Sequence, residues 1–151
     1  MIAIGSDHGG FELKQTVMKY LQENGYEFRD FGCFTPDSVD YPDVALPLAQ
    51  SIVSGEFKRG ILLCGTGIGM SMVANKIPGV RAALCGDSYS AHMAVEHNNA
   101  NILILGGRVV GPGLAISIVE TYLKATFAEG RHRVRIDKIT KIEKEYLRVK
   151  G

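Results

Sequence analysis

Apolar and polar positions along the 151-residue chain follow two alternating rhythms. Short β-rich runs at Met1–Ile4, Glu27–Phe31, Gly60–Cys64, Ala82–Cys85 and Asn101–Leu105 read as strands. The central runs are almost wholly apolar, the pattern of parallel strands buried on both faces. Between them, apolar positions recur at helical spacing. Leu13, Val17, Tyr20 and Leu21 form one stripe, stopped by Asn24-Gly25. Val44, Leu48, Ala49 and Ile52 form another, ending at Gly55. A helix follows the glycine-rich loop after Leu63 and runs to about Ile77, and one more ends at His97. After Pro112 the stripe is Leu114, Ile118, Val119, Tyr122 and Leu123. In the tail, Ile139, Ile142, Tyr146 and Val149 predict a helix over about 137–150, with Asp137 as its N-cap. Such alternation predicts βαβ units: an α/β, Rossmann-like three-layer αβα sandwich with a five-stranded parallel sheet. Residues 1–151 read as a single domain, its last helix packing on the domain or on a partner subunit.

Composition narrows the function. With 46% hydrophobic residues the chain can build a core without disulfides or metal. Its formal charge of +1 argues against a nucleic-acid partner. No apolar run reaches the ~20 residues of a membrane helix. The start, Met1-Ile2-Ala3-Ile4-Gly5-Ser6, turns polar too soon for a secretory signal. Three cysteines, Cys33, Cys64 and Cys85, contain no Cys-x-x-Cys pair and fit a reducing cytoplasm. The charge is uneven: residues 129–151 carry eight basic and four acidic side chains, +4, and the remainder carries −3. Cations therefore gather at the tail.

Eleven of the 18 glycines fall just after predicted strands. Ligands of open parallel sheets bind at those ends, so the clusters mark a candidate site. The richest is Cys64-Gly65-Thr66-Gly67-Ile68-Gly69-Met70-Ser71. It is not a dinucleotide fingerprint, because Met70 stands where the third glycine belongs. Asp87, about 20 residues on, keeps a nucleotide-binding module open as an alternative. No Gly-Lys-Ser/Thr follows, and Met70 replaces the arginine of a Cys-x₅-Arg phosphatase loop. A thiol beside a helix N-terminus meets free amides and the positive end of the helix dipole, which favour thiolate. Amides from Gly67 through Ser71 can donate to a developing oxyanion. Thiolate and oxyanion cradle together suit proton abstraction next to a carbonyl. A buried cysteine acting as a small hydrophobe is the plainer alternative.

Of four histidines, His92 and His97 lie five apart, roughly 140° around a helix, so they do not form a local zinc pair. His8, in Ser6-Asp7-His8-Gly9-Gly10, and His97, in Glu96-His97-Asn98-Asn99, are candidate general acids or bases. Arg131, Arg133 and Arg135 alternate around His132. In an extended stretch they would point one way, and with Arg108 they would suit a phosphate.

Together, Ser6-Asp7-His8-Gly9-Gly10, Asp40-Tyr41-Pro42, the Cys64–Ser71 loop, Glu96-His97-Asn98-Asn99-Ala100-Asn101 and Gly130-Arg131-His132-Arg133 resemble type B ribose-5-phosphate isomerase, over essentially the whole chain. The wider family includes galactose-6-phosphate isomerase subunits and enzymes accepting allose 6-phosphate. The resemblance implies cofactor-free and metal-free interconversion of ribose 5-phosphate and ribulose 5-phosphate through an enediolate. By position, Cys64 matches the proton-shuttling base. Some relatives place that group elsewhere and lack this cysteine. Thr66 and His97 match the ring-opening residues, and Asp7 and Asn98 those touching sugar hydroxyls. His8, Arg108, Arg131 and Arg135 match the phosphate ligands, and Tyr41 lines the pocket. Gly65, Gly67, Ile68, Gly69, Met70 and Ser71 form the substrate loop. The resemblance further implies homodimers, or dimers of dimers, whose sites draw on two subunits. Arg133 and His132 receive no role. Pentose and hexose phosphates stay unseparated, because pocket depth depends on loops such as Cys33–Val39.

Overall fold

A computed structural model describes residues 1–147 of the chain. Five strands, β1 (Ile2–Ser6), β2 (Phe28–Asp30), β3 (Arg59–Cys64), β4 (Ala82–Leu84) and β5 (Ile102–Gly106), form one all-parallel sheet in the order β2-β1-β3-β5-β4. The helices are α1 (Phe11–Glu23), α2 (Tyr41–Val53), α3 (Ile68–Ala74), α4 (Ser88–Glu96), α5 (Pro112–Lys124) and α6 (Arg131–Tyr146). Helices α1, α4 and α5 cover one face, and α2 and α3 the other. The αβα sandwich expected from the sequence is the fold observed.

The central strands are apolar because both of their faces are covered. Ile61, Leu62, Leu63, Ile102, Leu103, Ile104 and Leu105 are fully buried, each worth roughly 1.5–3 kcal/mol of transfer free energy. Side chains of one parity enter the α1/α4/α5 core and the other parity the α2/α3 core. The helix after β3 leaves on the face opposite to those after β1 and β5. These helices therefore diverge to opposite faces from the strand carboxyl ends, the place where open parallel sheets bind ligands.

The tail departs from expectation. Its helix begins at Arg131, six residues before Asp137, which lies inside the helix and caps nothing. The break is made by Glu129 and Gly130, both left-handed at φ of 61° and 60°. Residues 131–135 are therefore helical rather than extended. Arg131 and Arg135 share a face one turn apart, and Arg133 points away from them. Of the tail stripe, Ile142 and Tyr146 are largely exposed, and Val149, with the end of the expected helix, lies outside the described residues. Shorter shifts occur elsewhere: β1 reaches Ser6, and α3 stops at Ala74.

Candidate functional site

Three loops meet at the carboxyl ends of β1, β3 and β5. After β1, buried Asp7 turns the chain, its Oδ1 accepting the Gly9 and Gly10 amides at 2.8 and 3.2 Å. After β5, the Gly107 amide donates to the Cys64 carbonyl at 2.8 Å, and the Arg108 amide to the Gly65 carbonyl at 2.9 Å. The outer loops also touch. A Cβ on Gly107 would stand 2.6 Å from the Gly9 carbonyl oxygen, so only glycine fits. The Arg108 guanidinium lies across Gly65, and Arg108 lines a pocket of about 270 Å3 with His8 and Pro36. His8 Nδ1 accepts the Val39 amide at 3.2 Å. A neutral His8 then carries its proton on Nε2 and can donate with it.

Cys64 closes β3 with 5% of its surface exposed. The chain then passes through Thr66 to Gly67, whose φ of +82° only glycine adopts without strain. Because α3 has only seven residues, the amides of its first turn matter more than a long helix's field. The Ser71 amide donates to the Gly67 carbonyl at 3.0 Å and is spent, which removes it from the expected oxyanion cradle. The Ile68 amide leans on Thr66 Oγ1 at 3.3 Å. Gly69 and Met70 keep first-turn amides without an intrahelical acceptor. Met70 is wholly buried in the α2/α3 core, amide included, which removes it too from the expected cradle and leaves the partly exposed Gly69. The Tyr41 ring lies over Gly69, close enough that a Cβ there would meet it at 2.7 Å.

A second cluster forms at the other end of the sheet. Helix α4 starts above β4 and runs back, so His97, its C-cap, lands beside the amino ends of β4 and β5. Asn99 turns the chain with φ of 48°. Its carbonyl accepts Arg81 Nε at 2.7 Å, and Asn101 Oδ1 accepts the Arg81 amide at 2.8 Å. The Ala128 amide donates to the Glu96 carbonyl at 3.0 Å and brings the start of α6 alongside. There His132, buried, stacks on His97, with ring centroids 4.2 Å apart and planes within 10°. Burial first, then the neighbouring His97, Arg131 and Arg135, hold the His132 imidazole below its ordinary range. Arg131 and Arg135 are exposed beside this stack, as is Asn98. Arg133 turns instead to Glu129, bonding both carboxylate oxygens at 2.9 and 2.8 Å, with its guanidinium over Phe127.

One chain does not join the two clusters. Gly60 pairs with Ile102 at one end of the sheet and Cys64 with Gly106 at the other. Four residues of strand separate them, about 13 Å. Asp7, His8, Tyr41, Cys64 to Ser71 and Arg108 stand on one side, and His97, Asn98, Arg131 and Arg135 on the other. Asp87, the acid of the nucleotide alternative, caps α4: its Oδ1 accepts the Ser90 amide at 2.7 Å and its Oδ2 the Ser90 hydroxyl at 2.8 Å. Those bonds lower its pKa and give it a structural part as the helix cap. Among the described residues, no three His, Cys, Asp or Glu side chains gather as a metal site. The sequence reading missed Lys14, fully buried within the α1 stripe, and the pairing of His132 with His97. Lys14 falls three residues before Val17 and seven before Leu21, so its register did announce an inward face.

The family described as ribose/galactose isomerase matches residues 2–139. Ribose-5-phosphate isomerase B of Clostridium thermocellum is similar at 56% identity, covering 96% of this chain and 98% of that one, with a TM-score of 0.94. Ribose-5-phosphate isomerase B of Mycoplasma genitalium, solved with bound ribulose 5-phosphate, is similar at 44% identity over 95% and 96% of the chains, with a TM-score of 0.91. D-erythrulose-4-phosphate isomerase of Pectobacterium atrosepticum is 48% identical, covering 91% of each chain.

Proposed function

Since the chain belongs to the ribose/galactose isomerase family, we propose that it interconverts ribose 5-phosphate and ribulose 5-phosphate. The reaction opens the sugar ring and then moves one proton between two carbons. The observation that carries this reading is the meeting of a single thiol, the partly exposed first turn of α3 at Gly69 and a His8–Arg108 pocket at the ends of three central strands.

Cys64 sulfur removes the C2 proton of the open-chain aldehyde, leaving an enediolate. The Gly69 amide holds the oxyanion, where a fixed donor acts most strongly. The thiol then returns its proton at C1 while the hydroxyl proton moves from O2 to O1, giving the ketose. Thr66 and His97 transfer the protons of ring opening. Asp7, through the oxygen not used on Gly9 and Gly10, and Asn98 contact sugar hydroxyls. Tyr41 walls the pocket, and His8 Nε2 and Arg108 meet the phosphate together with Arg131 and Arg135.

The separation of the two clusters supports a homodimer in which each site takes Cys64 from one subunit and His97, Asn98, Arg131 and Arg135 from the other. No helix among the described residues is long and apolar enough to cross a membrane, and Cys33, Cys64 and Cys85 are buried and unbridged. Both fit work in the reducing cytoplasm. The test is a panel of ribose 5-phosphate, allose 6-phosphate and galactose 6-phosphate. Ribose 5-phosphate should give the highest kcat/KM. No turnover of any of the three would remove the ribose 5-phosphate reading, and preference for a hexose phosphate would move the assignment within the family.

A further inference from the structure

Lys14 is a charge with no part in the chemistry above, yet it has no exposed surface at all. A lysine is buried so completely only when its protons are taken up. Here Nζ donates to Asp30 Oδ1 at 2.8 Å, Asp30 Oδ2 at 3.0 Å and the Cys33 carbonyl at 2.5 Å. Asp30 Oδ1 also accepts the Gly32 amide at 2.9 Å. The same short segment is stitched to β1: the Ser6 amide donates to the Gly32 carbonyl at 2.6 Å and the Cys33 amide to the Ser6 carbonyl at 2.5 Å. The Phe34 ring lies over Nζ, 5.6 Å from its centroid, although Phe34 is 71% exposed.

These contacts fix one end of the segment 33–39. Its other end is held at the site, where the Val39 amide donates to His8 Nδ1. Between them, Pro36 forms a wall of the pocket that also contains His8 and Arg108. On the isomerase reading, with the phosphate at His8 and Arg108, the position of that wall sets how long a phosphorylated sugar chain can be while its second carbon still meets the Cys64 sulfur. Moving Cys33 moves Pro36, and it loosens the bond that orients His8.

We propose that the pair of buried Lys14 and half-buried Asp30 is a positioning device that sets the reach of the 33–39 loop, and through it the enzyme's choice between five-carbon and six-carbon sugar phosphates. The inference rests on the isomerase reading of the same site. It assigns Lys14 and Asp30 no contact with substrate. Their effect passes through Cys33, Phe34 and Pro36.

The experiment compares the wild-type chain with the double variant Lys14→Met/Asp30→Asn, which removes both charges together and leaves an oxygen for the Gly32 amide. Kinetics are measured on ribose 5-phosphate and allose 6-phosphate. One carbon's worth of pocket depth is typically worth tenfold or more in selectivity. The ratio of kcat/KM values for the two sugars should therefore shift about tenfold towards the hexose, mostly through a higher KM for ribose 5-phosphate, with kcat within about threefold. Phe34→Ala is the companion variant, since an exposed ring can be removed without unfolding the chain. It should shift the ratio in the same direction by about threefold. If the double variant does not fold, Phe34→Ala decides. A ratio unchanged in every variant that folds overturns the proposal. Wild-type protein inactive on both sugars would instead overturn the ribose 5-phosphate reading on which it rests.

Discussion

The two halves of the candidate site are held in different ways. The carboxyl-end half is built of backbone: amides of Asp7, Gly107 and Arg108, donating to the carbonyls of Leu63, Cys64 and Gly65, tie the ends of three strands into one surface. The amino-end half is built of side chains, from His97 and Asn98 at the end of α4 and from the first turns of α6, a helix with only His132 and Ile136 buried. The first half holds a thiol, a histidine and one arginine; the second holds two arginines, two imidazoles and no nucleophile. Within a chain the two halves lie at opposite ends of the sheet. On the proposed function, they complete each other when α6 reaches another subunit.

The harshest way to break the comparison is to disable each half in turn. Cys64→Ala should lower kcat for ribose 5-phosphate by about 10²–10⁴-fold, the usual contribution of a positioned acid–base group. His97→Asn should fall in the same range if it opens the ring. Mixing the two inactive variants is more telling. If sites are shared, half of the randomly assorted dimers are mixed, and each mixed dimer has one intact site. Activity should then return to about a quarter of the wild-type value. If each site belongs to one chain, refolding the mixture restores nothing.

The next effect concerns phosphate. Arg135→Ala should reduce kcat/KM about 10–100-fold, since a hydrogen bond to a charged group is worth roughly 1.5–3 kcal/mol. Arg133→Ala should leave kcat/KM within about twofold, because Arg133 is occupied by Glu129 and Phe127. Equal losses in the two variants would mean that α6 is read wrongly from its helical phase.

That contrast also marks what the sequence could reveal. Strand ends, glycine loops and the sheet were legible because each is a local pattern: apolar runs followed by residues that permit sharp turns. The start of α6 was not, because the alternation of Arg131, Arg133 and Arg135 fits a strand as well as a helix. Only the left-handed backbone at Glu129 and Gly130 decides between them. Lys14 was half legible, since its register pointed inward while its charge argued for solvent. What reversed that argument was Asp30, 16 residues away and invisible to periodicity. Long-range pairing of this kind also hid the stacking of His132 on His97. Neither residue signals the other in sequence, and the two meet only because α4 runs back along the sheet to where α6 begins.

The smallest expected effect tests that stack through stability. His132 is buried and its imidazole is held below its ordinary value of 6.5. Its native pKa is thus lower than its unfolded one, so the unfolded chain binds the proton first as pH falls. The contribution to stability is complete above about pH 6.5 and is lost progressively as pH drops towards the lowered native value. Denaturant midpoints measured from pH 7.5 to 5 should therefore decline more steeply for the wild-type chain than for His132→Phe, which keeps a ring against His97 but cannot take up a proton. Parallel curves would show that His132 titrates alike folded and unfolded. The stacked pair would then be a packing contact that leaves the proton affinity of His132 unchanged.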